Sequence, residues 1–123
     1  MIWSAIPLLH VSSSFAAEEF YCKHLGFQRE FAHHADELKP EPCYTSIVRD
    51  GARLHLSSFS GDGVSGAVVN LIVDNIDVLF EEFSAKHTPI AVAPTDQTWG
   101  TREMYVKDGD GNCLRFIESP NKR

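Results

Sequence analysis

Residues Glu18–His24 read EEFYCKH, and residues Glu81–His87 read EEFSAKH. Two near-copies of one helical stretch in a chain of 123 residues mark an internal duplication, which governs how everything else is read. The echo spreads outward from both copies. Val11 precedes the first and Val73 the second. Ile47–Gly51 (IVRDG) is answered by Tyr105–Gly109 (YVKDG), and Gly51–Leu56 (GARLHL) by Gly111–Phe116 (GNCLRF). The two copies together account for almost the whole chain.

Each copy follows one plan. A strand ends near Val11 or Val73. Ser12, Ser13 and Ser14, or Asp74 and Asn75, then offer side-chain oxygens to the free N–H groups of a helix start. Ala17, Phe20, Tyr21 and Leu25 recur at helical spacing, as do Ile76, Leu79, Phe80 and Phe83. Gly26 and Pro89 follow the helices, where a chain stops and turns. Three strands come next in each half: Phe27–Ala32, Tyr44–Arg49 and Ala52–Ser58, then Ile90–Ala93, Glu103–Lys107 and Asn112–Glu118. Asp50-Gly51 and Asp108-Gly109-Asp110-Gly111 are hairpin turns. Leu54 and Leu56 alternate with Arg53 and His55, and Leu114 and Phe116 with Cys113 and Arg115. One face of each hairpin therefore meets a core and the other something more polar.

The spacing predicts an α+β fold: a single domain, 1–123, of two βαβββ modules at about 1–62 and 63–123. One module leaves a sheet face that it cannot cover. Two sheets side by side curve into an open mixed sheet or partial barrel with the helices outside, and the second face lines a ligand cleft.

Bulk properties narrow the function. Hydrophobic residues at 43% and charged residues at 23% suit a soluble globular protein. The longest apolar run, Ala67–Val73, is short and broken by Asn70, so no membrane partner is expected. A net charge of −6 argues against nucleic acid. Cys22, Cys43 and Cys113 form no disulfide or metal framework, and the first ten residues lack the pattern of a signal peptide. A cytoplasmic location is the expectation.

The stretches Glu19–Phe27 (EFYCKHLGF) and Trp99–Glu118 (WGTREMYVKDGDGNCLRFIE) together resemble the vicinal oxygen chelate superfamily. That superfamily includes glyoxalase I, extradiol dioxygenases, fosfomycin-resistance transferases and the bleomycin resistance proteins. The resemblance implies four inward positions that ligate a metal in its enzymes. Here they fall on Ile6, His55, Val68 and Arg115. Divalent cations take nitrogen and oxygen donors, and only His55 offers one. No metal, no cofactor and no catalytic residue are therefore expected. The match is nearest to the bleomycin resistance branch, through Ala5–Leu9 (AIPLL), Gly26–Phe31 (GFQREF), Trp99-Gly100 and Gly111-Asn112-Cys113. This implies a homodimer, with its first strand exchanged between subunits, that sequesters a cationic drug without chemistry.

The resemblance places Trp99, in the polar loop TDQTWGT, where the family stacks an aromatic on a flat drug ring; the alternative is a tryptophan packed across its loop. Phe31 and Tyr44, flanking Ala32–Cys43, and Phe59, in SSFSGDG, are further candidates, or else ordinary core. Glu30 matches an acidic position of the family, while Asp36, Glu37, Glu41 and Asp62 suit a cationic ligand or a solvated surface. His55 and Arg115 occupy equivalent inward positions, and His10 and Arg102 join them as cleft candidates. An exposed loop is the expectation for His33-His34, and an edge or bend for Pro7. Two rival functions stay open: a metal-dependent glyoxalase-like lyase, isomerase or thiol transferase, and a binder of some other small molecule.

Overall fold

The computed structural model describes residues 1–120; the last three residues of the second expected module lie outside the described residues. The first module contains β1 (Leu8–His10), α1 (Ser14–Glu18), β2 (Gln28–His34), β3 (Cys43–Arg49) and β4 (Ala52–Ser57). The second contains β5 (Val68–Val73), α2 (Ile76–Ala85), β6 (Val92–Asp96), β7 (Arg102–Lys107) and β8 (Cys113–Glu118). Two four-stranded mixed sheets result, ordered β1-β4-β3-β2 and β5-β8-β7-β6. In both, the first strand runs parallel to the last and the remaining pairs are antiparallel. The duplication in the sequence is thus a duplication of topology, and the fold is the expected α+β arrangement without a closed barrel.

Local chemistry sets the element ends. Ser13 caps α1 by accepting from the Ala16 N–H, and Asn75 caps α2 by accepting from the Val78 N–H. The first helix departs from the sequence expectation, because α1 widens into a π-helical turn over Glu19–His24. Tyr21 and Leu25 nevertheless stay fully buried. Apolar spacing reports which side faces the core but not how the backbone winds between. Two strand expectations are corrected. β2 continues to His34, which pairs with Cys43, so His33 and His34 are strand residues pointing to opposite faces rather than a loop. β6 starts at Val92 rather than Ile90; it is an edge strand, and Pro94 falls in its register shift between Val92 and Thr95, where a missing N–H costs no ladder bond. β1 is also an edge strand, entered through Pro7, whose carbonyl accepts from the His55 N–H.

One hydrophobic core serves both modules. Ile47, Leu54 and Leu56 of the first sheet, Met104, Val106, Leu114 and Phe116 of the second, and Tyr21, Ile76 and Phe83 from the helical segments belong to it. Polar clamps tie the modules together. The buried Tyr21 hydroxyl donates to Asp108 at 2.9 Å, and burial pushes its pKa far above the usual phenol range. Asp108 also accepts from the Asp110 and Asn112 N–H groups and from Asn112 Nδ2. Arg49 donates to the Leu25 carbonyl at 2.7 Å and forks onto Glu82 at 2.8 and 2.7 Å. Gly26 makes room for that fork: it has φ +76°, and a Cβ there would meet Arg49 Nη1 at 2.8 Å.

Candidate functional site

With one face of each sheet committed to the core, strand alternation sends every second side chain to the opposite, open face. On the first sheet, register aligns Phe31, Ser46, His55 and Leu8 in one row and His33, Tyr44, Ser57 and His10 in the next. On the second sheet, the row equivalent to the first is Val92, Tyr105, Arg115 and Asn70. Thr95, Glu103, Ile117 and Ile72 form its neighbour. Apolar side chains on both faces remain exposed, among them Phe31, Leu8, Val68, Ile72 and Trp99.

Most polar groups of the first face are paired within it, although the buried His10 Nδ1 has no partner. His55 Nδ1 lies 2.7 Å from the Tyr44 hydroxyl, and its ring meets those of Phe31 and Tyr44 edge-on. Burial, with the nearby Arg53 charge, pushes the His55 pKa down. Burial raises that of Tyr44, with a further push from Asp62. Glu30 takes both prongs of Arg53, at 2.7 and 2.8 Å, and the Ser46 hydroxyl at 2.8 Å. The Arg53 hydrogen bonds hold its carboxyl down at about 2. The expected acidic counter-charge at Glu30 is therefore already neutralised by Arg53, a partner that sequence reasoning placed on the same strand face without pairing. Phe59 joins the group by stacking on His33, with centroids 6.5 Å apart and planes 11° apart.

The second face is built around Glu103. This buried carboxylate accepts from Trp99 Nε1 at 3.1 Å, Thr101 Oγ1 at 2.6 Å and the Tyr105 hydroxyl at 2.8 Å. Burial alone would raise its pKa, but the three donors outweigh burial and keep it below the usual range. Trp99 is thus held by its edge while 66% of its surface stays exposed. The loop that presents it closes through Gly100, whose φ of +100° strongly favours glycine, with Gln97 N–H bonding the Thr101 carbonyl. The Arg115 guanidinium carbon lies 4.9 Å over the centre of the Tyr105 ring. Tyr105 went unnoticed in the sequence, although its alternation with the core residues Met104 and Val106 marks it for this face.

Other candidates lie elsewhere. Arg102 shares the parity of Met104 and Val106, so it points to the helix side and pairs with Asp77 and Asp96. Glu41 accepts from the Ser14 N–H and hydroxyl and from the Ser58 hydroxyl, at the start of α1. Asp36 bonds the Leu38 N–H, and Asp62 accepts from the Ser57 hydroxyl. Among the described residues, no hydrogen bond, ion pair or ring contact joins the group around His55 to the group around Trp99. Within one chain the two groups are thus separate patches without direct contact. For metal chemistry, His55 faces Leu8 in register and Arg115 faces Asn70, with Ile6 and Val68 two residues earlier. That side-chain set offers one imidazole, three aliphatic groups, one amide and a cation, a donor set unsuited to a divalent metal.

Known proteins agree with this architecture. Among curated proteins, none matches the chain in sequence. A bleomycin-binding protein solved with bleomycin superposes with a TM-score of 0.76 at 22% identity, over 96% of this chain and 99% of that one. A glyoxalase-related enzyme from Clostridium phytofermentans gives 0.78 at 18% identity, over 97% and 96%. A lactoylglutathione lyase from Agrobacterium tumefaciens gives 0.71 at 19%, over 94% and 93%. Binding proteins and enzymes thus share this fold. The family model described as glyoxalase superfamily protein matches residues 2–123, and the chain belongs to the glyoxalase superfamily.

Proposed function

We propose that the protein is a non-catalytic binder that sequesters a planar, cationic antibiotic of the bleomycin type in the cytoplasm, working as a homodimer. The observation that carries this reading is Trp99, whose edge is fixed by Glu103 while its ring stays largely bare. A flat ring held in advance loses little freedom on stacking. The aromatic group of Phe31, Tyr44 and His55 offers a second wall, and Phe59 lies beside it. An overall charge of −6 favours a cation at long range.

The dimer reading is supported by the lack of contact between the two patches. Patches that do not meet within one chain can face each other across a second copy. Ile2, Trp3 and Ile6, next to the edge strand β1, are exposed at 92%, 89% and 41%. An exposed apolar arm beside a strand edge is suited to pair with a second subunit. The lack of a metal donor set at Ile6, His55, Val68 and Arg115 favours binding over the metal-dependent lyase, isomerase or thiol-transferase reading.

The test is a melting experiment with bleomycin, followed by mass analysis of the recovered drug. The expected result is a rise in Tm that grows with drug concentration, with the drug recovered unchanged. No rise at saturating drug, or recovery of a converted product, contradicts the reading.

A further inference from the structure

We propose that Arg115 forms an oxyanion subsite on the open face of the second sheet, which takes a carboxylate or comparable oxyanion on the planar ligand. This rests on the binding reading above and specifies its ligand: a flat ring on Trp99 with an anionic group a short distance from it, whatever cationic groups it carries elsewhere.

Three observations lead there. First, Arg115 Nε is buried and has no hydrogen-bond partner. A charged donor removed from water without an acceptor is unfavourable, and such groups recur where a ligand supplies the missing partner. Second, the neighbouring carboxylates bond other donors, and Glu103, near enough for the Arg115 charge to help lower its pKa, makes no hydrogen bond or ion pair with it. The Glu103 carboxylate serves Trp99, Thr101 and Tyr105, and Glu118 accepts from the Ile76 N–H at the start of α2. Among the described residues, no carboxylate lies within ion-pair distance of Arg115. Third, the guanidinium is positioned rather than loose. It rides on the Tyr105 ring, while exposed Asn70 stands beside Arg115 in register with an amide N–H₂ to add. A planar guanidinium fork matches a carboxylate in two parallel hydrogen bonds. At the equivalent place in the first module His55 already has its partner in Tyr44; the unpartnered nitrogen of that face, His10 Nδ1, lies one row away and is not part of a guanidinium.

The probes are 2-naphthoate and its neutral counterpart 2-naphthamide, titrated against the full chain carrying Trp3→Phe, so that Trp99 is the single tryptophan reporter. Naphthoate is expected to bind about tenfold tighter than naphthamide. Arg115→Gln should bring the ratio of the two affinities to about one. The Arg115 Nε–Hε signal in ¹⁵N NMR of the unsubstituted protein should move with naphthoate and stay still with naphthamide, a readout that needs no variant. Equal binding of the two probes, or a preference that survives Arg115→Gln, overturns the oxyanion subsite but leaves the aromatic platform standing. Failure of both probes to quench Trp99 overturns the platform and the subsite together.

Discussion

The two sheets have one topology and opposite chemistry on their open faces. In the first, most polar groups on the floor find a partner within the module, Glu30 with Arg53 and Ser46, His55 with Tyr44, Ser57 with Asp62, while the buried His10 Nδ1 has none. In the second, Glu103 gathers three donors, but Arg115 keeps a buried Nε without an acceptor and Trp99 keeps a bare ring. Duplication supplied two copies of a shell. Among the described residues each copy keeps one buried side-chain nitrogen without a partner, His10 Nδ1 in the first and Arg115 Nε in the second, and only the second belongs to a permanent charge able to gain from an anionic ligand. Such asymmetry is how a repeat yields one wall that supports and one wall that recognises.

The turns of the two modules differ in the same way and supply the largest expected effect. Asp108 is buried, takes four hydrogen bonds and anchors Tyr21 across the modules. Its counterpart Asp50 is an exposed turn residue. Asp108→Ala should cost about 3 kcal/mol or more by urea unfolding, since it strands a buried hydroxyl and several donors. Asp50→Asn should stay within about 0.5 kcal/mol. Similar losses for both would dissolve the contrast.

Binding comes next. Trp99→Ala should weaken bleomycin about tenfold or more in calorimetry, because it removes the pre-held platform. Phe31→Ala should weaken it less, since Phe31 already packs edge-on against His55. The reverse order would move recognition to the first sheet.

Two pH effects are smaller. The Glu30 carboxyl should titrate by NMR at about 2, and Arg53→Ala should return it toward the ordinary carboxylate range. Its folded pKa is lowered, so its contribution to stability is present above the ordinary carboxylate pKa and lost as pH falls toward about 2. For His55, burial favours the neutral ring, so its contribution is present above the ordinary imidazole pKa and lost as pH falls below it. The drop in Tm between pH 7.5 and 5.5 should accordingly be smaller in His55→Gln than in the parent; an equal drop would assign the pH response to other groups.

Much of this was legible in the sequence, because both the repeat and the alternation are local patterns. EEFYCKH and EEFSAKH marked the duplication, and Arg53-Leu54-His55-Leu56 assigned faces to a strand before any pairing was known. The same rule, applied to Arg102 beside Met104 and Val106, would have sent Arg102 to the helix side. What stayed hidden depends on contacts between elements. That Arg53 reaches Glu30 is set by the β-bulge between Arg29 and Phe31, and that Trp99 leans on Glu103 is set by a loop closing through Gly100. The π-helical turn at Glu19–His24 left no trace in the apolar spacing, since Tyr21 and Leu25 meet the core either way. Nor does sequence spacing tell whether two open faces share a cleft or look apart.

The measurement closest to the central claim is a bleomycin titration of the Trp3→Phe protein followed by tryptophan fluorescence, together with sedimentation of the unsubstituted protein, whose exposed arm keeps Trp3. Saturable quenching of Trp99 at one drug per chain, in a particle of two chains, is the predicted result. A monomer that binds no drug, or a dimer whose Trp99 emission is indifferent to saturating bleomycin, would contradict it.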